Sequence, residues 1–199
     1  MRPNFKENRV APRGGGGYRA AAMLRLFVAI SLPGPVRASL LAAMGGIGGA
    51  RWQTDEQLHL TLRFIGEVDR HAARDVDAAL AAVHHPRFEI AVRGVGTFDR
   101  RGRPGIVWAG VAPQEPLRAL HNKVDQALTR AGIAPDRRAF APHITLARLK
   151  PGAGSVRDML EQATPLATPP FAVESFALFE SRLAPDGAVY SLLETYPLD

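Results

Sequence analysis

The sequence predicts an α+β fold built from two pseudo-symmetric lobes, each with an antiparallel sheet flanked by helices, and an active-site groove between the lobes. Three observations predict it. Apolar residues form 46% of the 199 residues, enough to bury a core. Strand-like and helix-like segments follow each other without the regular alternation of parallel sheets. The order of helix, strand, His-x-Thr motif, helix and strands occurs twice, around "HLTLRF" and "HITLAR".

The elements of the first half are predicted from apolar patterns and from Pro and Gly punctuation. A strand over 24–32 is apolar at nearly every position beyond Arg25, which predicts burial on both of its faces. Pro33 and Pro35 open a helix that ends near Met44, before the glycines of "GGIGGA". After the first motif, a helix over 71–83 ends ahead of Pro86.

The second half repeats this order. The segments "RFEIAVRGVGTF" and "GIVWAGV" predict strands separated by turns. A helix over 116–131 follows, and its buried stripe is predicted to contain Leu117, Leu120, Val124 and Leu128. After the second motif come a short helix over 156–162 and two strands in "FAVESFALFES" and "AVYSLLETY".

The N-terminal segment differs from the rest of the chain. Residues 1–22 are polar and basic, contain four consecutive glycines and end directly before Met23, so we expect a disordered or non-native extension followed by one domain over 23–199. The apolar run "LRLFVAISL" is too short to span a bilayer. Arg25 interrupts it and no small-x-small cleavage site follows. We therefore expect a cytoplasmic protein without membrane association.

Composition limits the chemistry. The chain has no cysteine, which excludes disulfides, thiolate zinc sites and a thiol nucleophile. Its 25 Lys and Arg against 19 acidic residues give a net charge of +6, which favours an anionic partner such as nucleic acid. We expect a monomer.

The repeated motif places polar side chains on one face of each strand. Residues i and i+2 of a strand point the same way, so His59 shares a face with Thr61, and His143 with Thr145. The intervening apolar residues face a core: Leu58, Leu60, Leu62, Ile144 and Leu146. A single His-x-Thr triplet is ordinary in a half-buried strand. Two copies, each followed by Leu, predict a functional site.

Two imidazoles and two hydroxyls suit acid-base chemistry on a phosphodiester. An unperturbed His titrates near pH 6.5, so one can accept a proton while the other donates one. A Thr hydroxyl donates to a phosphoryl oxygen without adding charge. No third His or carboxylate stands at a metal-ligand spacing from either histidine. We therefore predict no metal and no cofactor.

The two motifs, together with "LRLFVAI", "HLTLRFIGEV", "PHITLAR" and "VYSLLETYPL", resemble those of the 2H phosphoesterases. The closest resemblance is to the RNA 2′,3′-cyclic phosphodiesterases, also known as 2′-5′ RNA ligases, and it covers nearly all of 23–199. It implies a bilobal α+β fold and a metal-independent reaction that opens a terminal 2′,3′-cyclic phosphate to a 2′-phosphate. The partners it implies are RNA or oligonucleotide ends. It also implies the reverse joining of ends through a 2′-5′ link.

The resemblance also implies roles for single residues. His59 is the proton donor to the departing O3′ and His143 is the proton acceptor that activates water. Thr61 and Thr145 bind phosphoryl oxygens, and Arg148 binds near the phosphate. Because Arg148 lies five residues after His143, an ideal strand would point it to the other face. Only a bulge, a strand end or its own length could return it.

Other side chains are candidates for substrate binding. Arg63 has the parity to face the groove, with a solvated strand charge as the alternative. Phe64 is predicted to stack on a terminal base, with core packing as the alternative. Five further arginines could line an RNA path or be solvated loop charges: Arg100, Arg101, Arg103, Arg137 and Arg138.

Two other functions fit parts of the sequence. One is a phosphodiesterase for a small nucleotide metabolite, such as ADP-ribose cyclic phosphate or a 2′-5′ oligonucleotide. The other is a non-catalytic module that binds RNA ends. Phosphate binding alone commonly uses Arg, Lys and backbone amides, so the two titrating imidazoles favour an enzyme.

Overall fold

The computed structural model describes residues 23–100, 102–163, 165–185 and 187–199; the predicted extension over 1–22 lies outside them. Nine strands and four α-helices form within the described ranges. The strands are β1 (Leu24–Ser31), β2 (Ala50–Trp52), β3 (His59–Val68), β4 (Phe88–Arg100), β5 (Arg103–Ala112), β6 (His143–Leu149), β7 (Phe171–Val173), β8 (Ser175–Ala184) and β9 (Gly187–Pro197). The helices are α1 (Gly34–Ala42), α2 (Arg70–Ala81), α3 (Glu115–Arg130) and α4 (Arg157–Ala163).

The strands form one path of antiparallel neighbours, in the order β7-β4-β5-β6-β3-β1-β8-β9, and β2 adds to β6. The predicted α+β class with antiparallel pairing is therefore confirmed. β3 and β6, the two His-x-Thr strands, are neighbours at the middle of the path. They meet at a single registered pair, Leu60 with Ile144, so this pair is the junction between the two sides of the sheet.

The two sides of the sheet do not correspond to the two halves of the chain. The side that carries His59 contains β1, β3, β8 and β9, and the side that carries His143 contains β2, β4, β5, β6 and β7. The first half supplies only β1 and β3 to its own side, which would leave the outer edge of β1 with unpaired backbone groups. The C-terminal hairpin pairs with that edge through β8.

The core lies on the face of the sheet that contains Leu60 and Ile144, both fully buried. α2 and α3 pack against each other and against β3. The predicted stripe of α3 is confirmed, because its four members are fully buried: Leu117, Leu120, Val124 and Leu128. α2 begins after Asp69, whose carboxylate accepts from the backbone N–H groups of His71 and Ala72. Among the described residues, no helix has the length and apolarity needed to cross a membrane.

A buried hydrogen bond ties β9 to α2 away from the two His-x-Thr strands. Tyr196 is 4% exposed, and its hydroxyl donates to Asp77 Oδ1 at 2.7 Å. Replacing Tyr196 with Phe removes the donor and keeps the ring, so we expect the free energy of unfolding to fall by about 1–2 kcal/mol. Urea denaturation measures this. Val189→Ala, at an exposed position, is the control, and equal stability of both variants would contradict the assignment.

Candidate active site

Four polar side chains of the two motifs lie on the same face of the sheet. Opposed residues of antiparallel neighbours point to the same side, and the pair of Leu60 with Ile144 points into the core. His59, Thr61, His143 and Thr145 therefore lie on the opposite face, which we term the site face. The antiparallel sense sets His59 beside Thr145 and His143 beside Thr61. The structure thus brings together the four residues predicted from the motifs.

The surroundings of the two motifs repeat each other. His59 is registered with Ser31 on β1, and Thr61 with Ala29. On the other side of the junction, His143 is registered with Gly110 on β5, and Thr145 with Trp108. Each histidine thus stands at the beginning of its strand, opposite the end of the preceding long strand. This local repeat is the structural form of the predicted pseudo-symmetry.

Backbone carbonyls fix both imidazoles in the same way. Nδ1 of His59 lies 2.8 Å from the carbonyl oxygen of Gln57, and Nδ1 of His143 lies 2.7 Å from that of Ala141. A carbonyl only accepts, so each Nδ1 carries the hydrogen, and Nε2 of the neutral ring is the basic nitrogen. Nε2 of His59 lies 3.0 Å from Oγ1 of Thr61, whose hydroxyl donates to it. Both rings are only partly buried.

Each motif strand contains a β-bulge at the leucine that follows Thr. On β3 the register passes from Thr61, opposite Ala29, to Arg63, opposite Val28. On β6 it passes from Thr145, opposite Trp108, to Ala147, opposite Val107. Leu62 and Leu146 are thus the extra residues, and each bulge reverses the side-chain parity of the residues after it.

The bulge on β6 returns Arg148 to the site face. Leu146 and Ala147 are both fully buried, and Arg148 is exposed after them. The positive charge of Arg148 acts on both His59 and His143. The geometric difficulty raised by the five-residue spacing is therefore resolved by a bulge, one of the three solutions considered from the sequence.

The prediction that Arg63 faces the groove is wrong, and the bulge on β3 is the reason. Arg63 is turned to the core side, where it is 5% exposed and its Nε lies 2.6 Å from Oδ1 of Asp125 on α3. Its two terminal nitrogens donate to the carbonyl oxygens of Phe64 and Ala134. It is neither a substrate ligand nor a solvated strand charge.

Phe64 occupies on β3 the position that Arg148 occupies on β6. It is 46% exposed on the site face, opposite Phe27, with a distance of 5.8 Å between the ring centroids. The alternative of core packing is therefore not what the structure shows. Base stacking by Phe64 stays a prediction.

Aromatic side chains surround both histidines, and no sequence motif identified them. Phe27 and Tyr190 lie 5.0 and 5.1 Å from the ring of His59, and Phe98 lies 4.8 Å from that of His143. The alternation within β1 could have indicated that Phe27 lies on the same face as His59, because Phe27 and Ala29 alternate with the core-facing Val28. This indication was weak, because the residues on both faces of β1 are apolar.

Trp108 is a further residue of the site face that the sequence analysis did not identify. Its indole lies over Gly96, where an added Cβ would come 2.4 Å from the ring, and Gly96 is therefore needed for this packing. Among the described residues, the buried Nε1 of Trp108 has no hydrogen-bond acceptor.

The electrostatic surroundings keep both imidazoles neutral at pH 7. The pKa of His59 is lowered to about 4, mainly by burial and additionally by the charge of Arg148 and the electrostatic effect of His143, while the Gln57 carbonyl acts in the opposite direction. Burial is also the main cause that lowers the pKa of His143, followed by Arg148. The free site therefore has two basic Nε2 atoms and one nearby guanidinium, an arrangement that favours an anion.

A cavity of about 220 Å³ opens beside His59. Ser31 and Tyr190 line it on the sheet side, and Arg37 and Asp55 line it from α1 and the short 3-10 helix Asp55–Gln57. Arg37 Nε and Asp55 Oδ1 are paired at 2.8 Å. The cavity thus extends the site from His59 away from Thr61.

Two further predictions concern an arginine-lined RNA path and a reaction without a metal. Arg138 is paired with Asp136 at 2.8 Å, whereas Arg100, Arg103 and Arg137 are exposed and Arg101 lies outside the described residues. No group of three His, Asp or Glu side chains that could hold a metal exists in the described part of the chain. The metal-free reaction stays a prediction that a chelator can test.

Known proteins resemble this chain in sequence. The profile of the 2′-5′ RNA ligase superfamily matches residues 49–184. A relative from Aeropyrum pernix named RNA 2′,3′-cyclic phosphodiesterase is 38% identical over 143 residues, 70% of this chain and 81% of the relative. A relative of the same name from Thermus thermophilus is 37% identical over 186 residues, 88% of this chain and 90% of the relative.

Solved structures share the architecture. The protein TT0787 of Thermus thermophilus has a TM-score of 0.75 and 32% identity, covering 87% of this chain and 97% of that one. Escherichia coli LigT complexed with 3′-AMP has a TM-score of 0.72 and 26% identity, covering 89% of this chain and 99% of that one. The shared fold thus places the molecule in a known structural class. The chain belongs to the 2′-5′ RNA ligase superfamily.

The lowered pKa values give a direct prediction for histidine titration. In ring Cε1–H NMR spectra, the midpoint of His59 should lie near pH 4, and that of His143 below its ordinary value. Inorganic phosphate should raise both midpoints, because an anion stabilises the imidazolium. His71, which is 87% exposed, is the internal control. Midpoints of His59 and His143 that do not respond to phosphate would contradict an anion site between them.

Proposed function

We propose that the protein hydrolyses terminal RNA 2′,3′-cyclic phosphates to 2′-phosphomonoesters by metal-independent catalysis with two histidines. The observation that carries the proposal is the presence of both His-Thr pairs on one face of adjacent strands, with each Nδ1 fixed to a carbonyl. That arrangement leaves two Nε2 atoms for proton transfer. The names of the relatives, RNA 2′,3′-cyclic phosphodiesterase, support the cyclic phosphodiesterase activity.

The proposed reaction is an in-line displacement. Nε2 of His143 takes a proton from water, and the water oxygen bonds to phosphorus. The P–O3′ bond breaks, and the departing O3′ takes a proton from Nε2 of His59. The product carries a 2′-phosphate and a free 3′-hydroxyl, so atoms and charge balance without a metal. The reverse reaction, with a 5′-hydroxyl in place of water, would join RNA ends through a 2′-5′ link.

The other side chains of the site face have supporting roles. The hydroxyls of Thr61 and Thr145 donate to the non-bridging oxygens of the phosphate. Arg148 compensates the charge of those oxygens, which grows in the transition state. Its charge already acts on both histidines in the free protein.

Substrate charge solves a difficulty of the proton donor. A His59 with a pKa of about 4 is almost entirely neutral at pH 7 in the free protein. An anionic phosphodiester beside Nε2 favours the imidazolium and raises this pKa. The donor is therefore charged mainly in the substrate complex, while His143 must remain neutral as the base.

RNA is favoured over a small metabolite by the exposed ring of Phe64, which lies on the site face beyond the two histidines and the two threonines. A base of the RNA could stack there, and a metabolite without a further base would leave it exposed. A non-catalytic binder is disfavoured because phosphate binding alone commonly uses Arg, Lys and backbone amides and does not require two imidazoles with free Nε2 atoms.

Removal of either histidine tests the mechanism. His59→Ala and His143→Ala should each lower turnover of a nucleoside 2′,3′-cyclic phosphate at least about 10²-fold, because each removes one proton-transfer step. The assay contains a chelator, and chromatography identifies the product. His71→Ala, at an exposed helix position, is the matched control and should keep full activity.

The outcomes separate the alternatives. A 2′-phosphate product formed in chelator supports the proposal, and a 3′-phosphate product would show different chemistry. Retained activity in either histidine variant would refute the mechanism. No turnover by the wild-type protein would favour the binding module.

Phe64→Ala tests the contact with RNA. Stacking of one base contributes about 1–3 kcal/mol, so we expect KM for an RNA with a cyclic phosphate end to rise about 5-fold or more, with kcat little changed. Leu183→Ala, a change of an exposed apolar residue near the tip of the β8–β9 hairpin, is the control. An unchanged KM would refute the assignment of Phe64.

A further inference from the structure

We propose that Arg63 is a positioning residue: it braces the His59 strand against the loop before His143 and so sets the separation of the two imidazoles. This role replaces the substrate contact that the sequence suggested. Its kinetic consequence rests on the proposed function, whereas its structural consequence does not.

The guanidinium of Arg63 connects three parts of the molecule. Its Nε pairs with Asp125 on α3 at 2.6 Å. One terminal nitrogen donates to the carbonyl oxygen of Phe64, directly after the bulge of its own strand. The other donates to the carbonyl oxygen of Ala134, in the loop that leads from α3 to His143. The planar guanidinium of an arginine has donors in fixed directions and can make all three contacts at once. The ammonium group of a lysine cannot reproduce this arrangement.

His121 makes a second connection along the same path. Its Nδ1 lies 2.9 Å from the carbonyl oxygen of Leu62, the extra residue of the β3 bulge. The same imidazole stacks on Phe140 with the ring centroids 4.1 Å apart and the planes 2° from parallel. Phe140 lies three residues before His143. Arg63 and His121 thus both join the bulge of β3 to the loop that precedes His143.

We term the contacts of Arg63 and His121 the brace. They are needed because the sheet itself holds the two motif strands together weakly. β3 and β6 share only the registered pair of Leu60 with Ile144, whereas β1 and β3 are registered over eight pairs. An in-line displacement requires both imidazoles at fixed positions on opposite sides of one phosphorus, and small misplacements cost rate. Arg63 and His121 instead join β3 to the loop that leads into β6.

Arg63→Met tests the brace while keeping an unbranched apolar stem. We expect kcat for a nucleoside 2′,3′-cyclic phosphate to fall at least about 10-fold, with KM changed less than about 3-fold, because alignment matters most in the transition state. The inhibition constant of uridine-vanadate, which has transition-state geometry, should rise in parallel with the loss of kcat. That of inorganic phosphate should change little.

Two further variants separate positioning from stability. Arg63→Lys keeps the charge beside Asp125 but lacks the planar guanidinium, so it should lose less stability than Arg63→Met and still show reduced kcat. Asp125→Asn should reduce kcat as well. Tyr196→Phe removes a buried hydrogen bond between β9 and α2 that involves none of the contacts of Arg63, and it should lower stability without lowering kcat. All rates are measured at a temperature where each variant is fully folded.

Amide hydrogen exchange measures the effect of the Arg63 contacts on the structure independently of catalysis. Arg63→Met should speed exchange in residues 134–140 and at Phe64, and Tyr196→Phe should speed neither. Normal kcat in all three brace variants, or the same exchange change in Tyr196→Phe, would overturn the inference. A wild-type protein that turns over no cyclic phosphate would refute the proposed function instead, and exchange would then decide the brace.

Discussion

An extra leucine in each of two neighbouring strands is the constraint on which the site depends. Regular strands that carry His and Thr two residues apart would place the third residue after Thr on the core face. The bulges at Leu62 and Leu146 reverse that parity, so that Phe64 and Arg148 join the histidines on the site face. Each bulge leaves a carbonyl outside the regular ladder, and each is satisfied: His121 lies at the carbonyl oxygen of Leu62, and the backbone N–H of Gln53 at that of Leu146.

The same bulge has opposite consequences for the two arginines. On β6 the core position after Leu146 holds Ala147, which fits a packed interior without polar partners. On β3 that position holds Arg63, and a buried guanidinium is tolerated only where it is paired and hydrogen-bonded. Asp125 and two backbone carbonyls meet this need. The cost of burying a charge is thus offset by contacts that also join β3 to α3 and to the loop before β6.

Sequence periodicity could predict the parts of the site that follow regular geometry. The shared face of each His-Thr pair follows from strand alternation, and the helices follow from apolar spacing and from Pro. The direction of Arg63 could not be predicted, because a bulge has no reliable signature in a single sequence. The grouping of the strands could not be predicted either, since the C-terminal hairpin pairs with β1 across more than a hundred residues. The aromatic surroundings of His59 were hidden because β1 is apolar on both faces.

The electrostatic state of the free site follows from its packing. Aromatic rings pack against the two partly buried histidines, and the carbonyls of Gln57 and Ala141 fix their tautomers. Arg148 opposes a second positive charge, so both rings stay neutral until an anion arrives. The phosphate of the substrate would therefore supply the charge that the proton donor needs, which couples binding to activation.

A crystal structure with a bound nucleoside 2′-phosphate tests the central claim most directly. We predict that Nε2 of His59 and Nε2 of His143 both lie about 2.6–3.2 Å from oxygens that belong to the same phosphate or replace its leaving and attacking groups. A phosphate held by one imidazole, with the other ring too distant to reach any of these oxygens, would contradict it.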